Sequence, residues 1–259
     1  MTEHSTPFER STALDGIASL RHGFFGRQGG HSTGAFASNN MSIAIGDEPR
    51  LAEANRSGAA QELGYLRQNL YLLRQTHSAD VRTLTDYPDN DIAFDADAMV
   101  TKLPTLALGI LTADCTPILF ADAEAGVIGA AHAGWRGAVD GIIGNTVDAM
   151  VALGADPKRI VAAIGPTISG DNYEVGPQFM TDFVALQPDG WRHFHVPEGK
   201  RTHFDLPGFV EAQLRAAGIE TVDRVGGCTY GHPDRYFSHR YATHHATKTG
   251  RQIAIIGLS

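Results

Sequence analysis

The sequence predicts an α+β fold, with mixed and antiparallel β-sheets flanked by helices, on three observations. Short apolar strands outnumber helical stretches. Many of those strands are joined by turns too short to hold a crossover helix, which antiparallel neighbours allow and parallel ones do not. No glycine fingerprint opens a strand-helix-strand unit, which sets a doubly wound dinucleotide-binding sheet aside. Residues 1–259 carry no internal repeat, low-complexity stretch or proline-rich linker and are read as one domain.

Taken in order, a strand is expected over 20–25, followed by the turn GRQGGHSTG. Its GRQGG lacks the lysine and following hydroxyl of a phosphate-binding P-loop and is read as a hairpin turn. Asp47 and Pro49 open a helix with Leu51, Ala59 and Leu63 on its apolar side and Gly64 as its stop. Strands over 70–73 and 81–84 flank QTHSAD. Three more, over 106–111, 117–120 and 127–131, are punctuated by TADC, ADAEAG and HAGWRG. A helix over 138–153, a strand over 161–164, a helix over 206–217 begun by Asp205 and Pro207, and a closing strand over 253–258 complete the reading.

The net charge is −8 with no long basic run, which argues against nucleic acid as the main partner. A small anionic ligand stays compatible, because one arginine dominates the field at short range. The first residues lack the basic and apolar regions of an export signal, and no stretch approaches the roughly 20 apolar residues of a membrane helix. The expectation is a cytoplasmic protein that does not engage a membrane. Cys115 and Cys228 are the only cysteines, too few for a disulfide scaffold, and are expected to be thiols.

His77, Cys115 and His132 each fall where a strand meets a turn, 38 and 17 residues apart. Two imidazoles and a thiolate suit zinc, and three protein ligands leave a fourth position for water or substrate. The spacing matches no compact zinc pattern, so from the residues alone a buried thiol with two backbone-bonded histidines is the favoured reading at this point. Asp114, or Asp95 and Asp97 in FDADAMVT, could act as a base or orient an imidazole through its second nitrogen; as turn caps they would do neither. Arg136 and Arg56 offer forks for phosphate or carboxylate oxygens. Trp135 could stack on a flat ring or simply pack, and Gln75 could bond substrate or a neighbour. The C-terminal run GGCTYGHPDRYFSHR gathers Cys228, His232, His239 and Arg240, with His244 and His245 nearby, as a conceivable second metal site.

Ten segments run almost end to end: RHGFFGRQGG, ASNNMSIAIGDEP, EANR, QTHSADV, DADAMVT, LGILTADCTPILFAD, GVIGAAHAGWRG, GPTISGDNYEVG, CTYGHPDRYFSHR and TGRQIAIIGL. Through them the chain resembles the laccase-domain proteins, formerly called multicopper polyphenol oxidases and now associated with purine nucleoside phosphorylase activity. The resemblance implies that His77, Cys115 and His132 bind zinc and are catalytic, with Asp114 and Arg136 beside them. Substrate contacts fall to Arg56, Gln75, Asn40 and Trp135. It implies phosphorolysis of adenosine, inosine and related nucleosides, with methylthioadenosine cleavage and adenosine deamination as associated activities. The partners are then a small nucleoside and phosphate. Asn172 and Gly231 stand where relatives often carry cysteines, and YATHHATKTG replaces a more charged turn.

Three competing functions make different demands. A copper oxidase needs a blue-copper site and a histidine-fed cluster, whereas HFH occurs once and no His-Cys-His run is present. A cysteine hydrolase acting on peptidoglycan precursors would use Cys115 as nucleophile and His132 or His77 as base. A non-catalytic zinc module would unfold when the metal is lost.

Overall fold

The computed structural model describes residues 6–89 and 93–259. The first half contains β1 (Phe8–Glu9), α1 (Thr12–Asp15), β2 (Leu20–Phe25), α2 (Pro49–Glu62), β3 (Leu70–Leu72) and β4 (Val81–Leu84). Next come β5 (Ala98–Thr101), β6 (Ala107–Thr112), β7 (Thr116–Asp122), β8 (Val127–Ala133), α3 (Trp135–Val139), α4 (Ile142–Ala152) and β9 (Val161–Ile164). The remainder is α5 (Pro177–Leu186), β10 (Phe194–His195), β11 (His203–Phe204), α6 (Leu206–Ala216), β12 (Thr221–Arg224), α7 (His239–His244) and β13 (Gln252–Leu258). Among the described residues these strands form three sheets, ordered β1-β2-β13-β6-β3, β12-β9-β7-β8-β5-β4 and β10-β11. Parallel and antiparallel pairs mix in the two large sheets, so the α+β expectation holds.

The two large sheets lie face to face. Phe24, Leu108, Ile110, Ala254 and Ile256 of the five-stranded sheet share one buried cluster with Met99, Leu119, Ile128, Ala130 and Ala163 of the six-stranded sheet. The opposite face of the five-stranded sheet, with Leu70, Ala107, Ile253 and Ile255, meets Ala59 and Ala60 of α2. The opposite face of the six-stranded sheet, with Val100, Ile118, Phe120 and Ala131, packs on Ile143, Val147 and Met150 of α4 and Phe209, Val210 and Leu214 of α6. Both sheets are therefore covered on both sides, which explains why β7 and β8 read as unbroken apolar runs rather than alternating ones.

Three local expectations need correction. GRQGG does not join two paired strands: β2 pairs with β1 and β13, while Arg27 N donates to Arg235 O of the C-terminal segment and Ser38 N folds the loop back onto Arg27 O. The helix expected over 138–153 is two helices, because Gly141 sits at φ +98° between α3 and α4. The strand expected over 127–131 continues to Ala133, so His132 lies inside β8, opposite Pro117.

Candidate active site

Two chain crossings between the large sheets build the site. The segment after β3 leaves the five-stranded sheet and enters the six-stranded one at β4, carrying His77. The short turn from β6 to β7 makes the same passage and carries Cys115. His132 presents its side chain from β8, next to β7. His77 at φ 61° and Asp114 at φ 88° both occupy the left-handed region, a backbone cost of about 1–3 kcal/mol apiece that surrounding structure must hold in place.

The ligand atoms of His77, Cys115 and His132 all lie within 4.8 Å of one another. Cys115 Sγ is 3.9 Å from His77 Nε2, and the two imidazole rings meet edge-on at 80° with centroids 4.8 Å apart. His77 is exposed, Cys115 half-buried and His132 buried, as expected of a centre reached from one side. This donor set could hold a metal ion. The surroundings fit that use, since a Cβ added at Gly134 would lie 3.0 Å from His77 Cδ2 and 3.1 Å from Cys115 Sγ. Gly134→Ala should therefore push the two ligands apart and weaken metal binding about tenfold or more in a folded protein. Competition with a chelating dye, alongside circular dichroism, measures it; native metal affinity would contradict the fit.

Asp97 is the residue that ties the set together. Fully buried, it accepts from His132 Nδ1 at 2.7 Å, from Ser78 N at 2.7 Å and Oγ at 2.9 Å, and from Thr76 N at 3.0 Å. One carboxylate thus grips both neighbours of His77 and the ring of His132, and its bond to Nδ1 leaves the other nitrogen of that ring for a metal. Burial alone would raise its pKa, but the bonds from His132, Ser78 and Thr76 outweigh it and hold the group well below the usual carboxylate range. Burial likewise opposes charge on Cys115 and His132, yet their mutual attraction and Asp97 prevail. The thiol is pulled down to about 6 and the imidazole up to about 9.

The triad opens on a cleft of about 1240 Å³, lined among others by Arg56, Arg67, Arg74, Gln75, His239 and Arg251. Arg56 reaches Glu53 and the carbonyl of Met41, Arg67 reaches the same Glu53 at 2.8 Å, and Arg74 pairs with Asp95. Gln75 is engaged by the backbone of Leu111, donating to its carbonyl and accepting from its N–H at 2.8 Å each. Asn40 is buried and bonded to Ser42, Asp47 and the backbone N of Arg251, so it braces the wall from behind.

Other sequence candidates lie elsewhere. The carboxylate of Asp114 accepts from Thr229 Oγ1 and Arg240 N, anchoring the C-terminal segment. Trp135 packs edge-on against Phe179 at 4.8 Å, and exposed Arg136 lies over the Trp135 ring at 5.1 Å, away from the cleft lining. Among the described residues Asp95 forms its exposed pair with Arg74 and a backbone bridge. The C-terminal histidines do not assemble a second metal-competent group among the described residues. His239 lines the cleft, while His244 meets Tyr230 and His245 stacks on Tyr241. Arg67 and Arg251 were not singled out by sequence reasoning; the TGRQ stretch preceding the last strand was the available signal for Arg251.

Residues 21–259 match the family described as multi-copper polyphenol oxidoreductase laccase. The chain belongs to this family. It is 39% identical over 258 residues to "Purine nucleoside phosphorylase" of Deinococcus radiodurans, covering 100% of this chain and 95% of that one. It is 39% identical over 225 residues to "Purine nucleoside phosphorylase ORF3" of Streptomyces griseus, covering 86% and 89%. Among solved structures it resembles hypothetical protein YfiH of Bacillus licheniformis, with a TM-score of 0.88 and 28% identity over 98% and 97% of the two chains. YlmD of Geobacillus stearothermophilus is similar, with a TM-score of 0.83 and 29% identity over 97% and 96%.

Proposed function

We propose that this chain is a zinc-dependent purine nucleoside phosphorylase of the cytoplasm. Its substrates are adenosine, inosine and related nucleosides, methylthioadenosine among them, together with inorganic phosphate, and adenosine deamination is an associated activity. The observation that carries the reading is the convergence of a His-Cys-His donor set and a group of arginines on one cleft, in a chain whose net charge is −8. The names borne by its relatives support it. Among the described residues no helix is long and apolar enough to cross a membrane.

In phosphorolysis a phosphate oxygen bonds to the ribose C1′ as the bond from C1′ to the base nitrogen breaks. The electron pair leaves with the base, which takes up a proton. Cationic side chains hold the phosphate against that carbon, and an apolar lining such as Leu72 and Leu111 excludes water. Zinc, when bound by His77, Cys115 and His132, supplies Lewis acidity toward a substrate oxygen. Removing the metal with a chelator is expected to abolish turnover while shifting the melting temperature by only a few degrees, and zinc should restore activity. Unfolding on chelation would favour a structural metal instead.

One observation favours a second reading. Asp97, His132 and Cys115 are arranged in series, with a lowered thiol and a raised imidazole, as in a cysteine nucleophile with its base and orienting carboxylate. Such a hydrolase would act on peptidoglycan precursors. Metal-independent covalent trapping of Cys115 by an electrophilic substrate analogue would select it.

A further inference from the structure

Among the described residues four arginines line the cleft, and three are matched to carboxylates: Arg56 and Arg67 to Glu53, and Arg74 to Asp95. Arg251 differs. Among the described residues no carboxylate stands within ion-pair distance of it, and its one side-chain hydrogen bond is from Nη1 to the carbonyl of Gly250 at 2.9 Å. Its backbone is pinned on both sides, with its N–H donating to Asn40 Oδ1 at 2.9 Å and its carbonyl accepting from Met41 N at 2.9 Å. A half-buried guanidinium on a fixed stem, with most of its donors uncommitted, is built to receive an oxyanion.

The place of Arg251 in the cleft follows from the pairing of β6 with β13: Leu111 and Thr112, which line the cleft at the end of β6, stand opposite Ile253 and Gln252, the residues that follow Arg251. Arg251 also lies within electrostatic reach of Cys115 and Asp114, while burial pushes its pKa down. Arg251 and the His-Cys-His set line the same cleft.

We propose that Arg251 forms the phosphate subsite of this cleft, an assignment that rests on the phosphorolytic reading. It replaces Arg136, which lies over Trp135, and Arg56, whose fork is engaged by Glu53 and Met41. A bidentate charged contact predicts a loss of about tenfold or more in phosphate affinity when the fork is removed.

The test is a phosphorus NMR titration of the full-length protein with inorganic phosphate, read without turnover. Arg251→Met should bind phosphate about tenfold or more weakly, and Arg251→Lys should recover part of the loss. Inosine affinity, measured separately, should stay within about twofold in both. If Arg251→Met does not fold, Arg251→Lys decides the matter. Parental phosphate affinity in the folded Arg251 variants, or loss of phosphate in Arg136→Ala in their place, would overturn the subsite. Failure of the unmodified protein to make ribose 1-phosphate despite binding phosphate at Arg251 would instead count against the phosphorolytic reading alone.

Discussion

Cys115→Ala and His77→Ala are each expected to remove turnover, by roughly a thousandfold or more, with far-UV circular dichroism close to that of the parent. The physical reason is separation of roles. Cys115 stands on a sheet-to-sheet turn and His77 on a loop, and neither belongs to the three buried clusters that hold the layers together. Removing either side chain takes away one of three donors that lie within 4.8 Å of one another and opens no core cavity. Full activity in either variant would remove the metal-centred account. Lost activity together with a lost fold would move the site from catalysis to structure.

The second large effect is expected at Asp97. An asparagine there keeps the volume but turns one oxygen into an NH2 group, a donor facing donors, since every bond Asp97 now accepts comes from an N–H or O–H. Asp97→Asn should weaken metal binding about tenfold to a hundredfold, in line with the loss of a carboxylate that orients a metal-binding histidine. The pH dependence has a defined sign. A carboxyl depressed in the folded state adds stability that is present above its unfolded value near 4 and is lost as pH falls below it. The parent should thus lose more stability than Asp97→Asn between about pH 5 and pH 2. Equal acid sensitivity in the two proteins, measured by urea unfolding across that range, would contradict this role for Asp97.

Much of the fold was legible because its elements carry local signals. The strand at Leu20–Phe25 and the proline-started helix at Pro49–Glu62 appear as read. The apolar strands around TADC and HAGWRG exist too, with ends displaced by one or two residues. What was not legible is non-local. Nothing in FDADAMVT announces that Ala98–Thr101 is an internal strand of the six-stranded sheet, because four residues buried on both faces leave no alternation to read. The two-residue strands Phe194–His195 and His203–Phe204 are too short to leave any pattern.

The site divides in the same way. His77, Cys115 and His132 are visible as strand-end residues with metal-binding side chains, and the structure brings them together. The identity of the carboxylate among Asp95, Asp97 and Asp114 depends on which way each points, and only Asp97 points at the set. Arg251 joins the cleft wall that carries Leu111 and Thr112 because β13 pairs with β6 across a separation of about 140 residues, a proximity that no local motif encodes.

On the proposed reading, phosphate attacks a purine nucleoside in the cleft beside Cys115. The most direct measurement is mass-spectrometric product analysis of the purified protein with adenosine or inosine, with and without phosphate, alongside Cys115→Ala. Free base and ribose 1-phosphate, formed only with phosphate and only by the unmodified protein, are the predicted result. No turnover of either nucleoside by the metal-loaded protein, or identical products from Cys115→Ala, would contradict it.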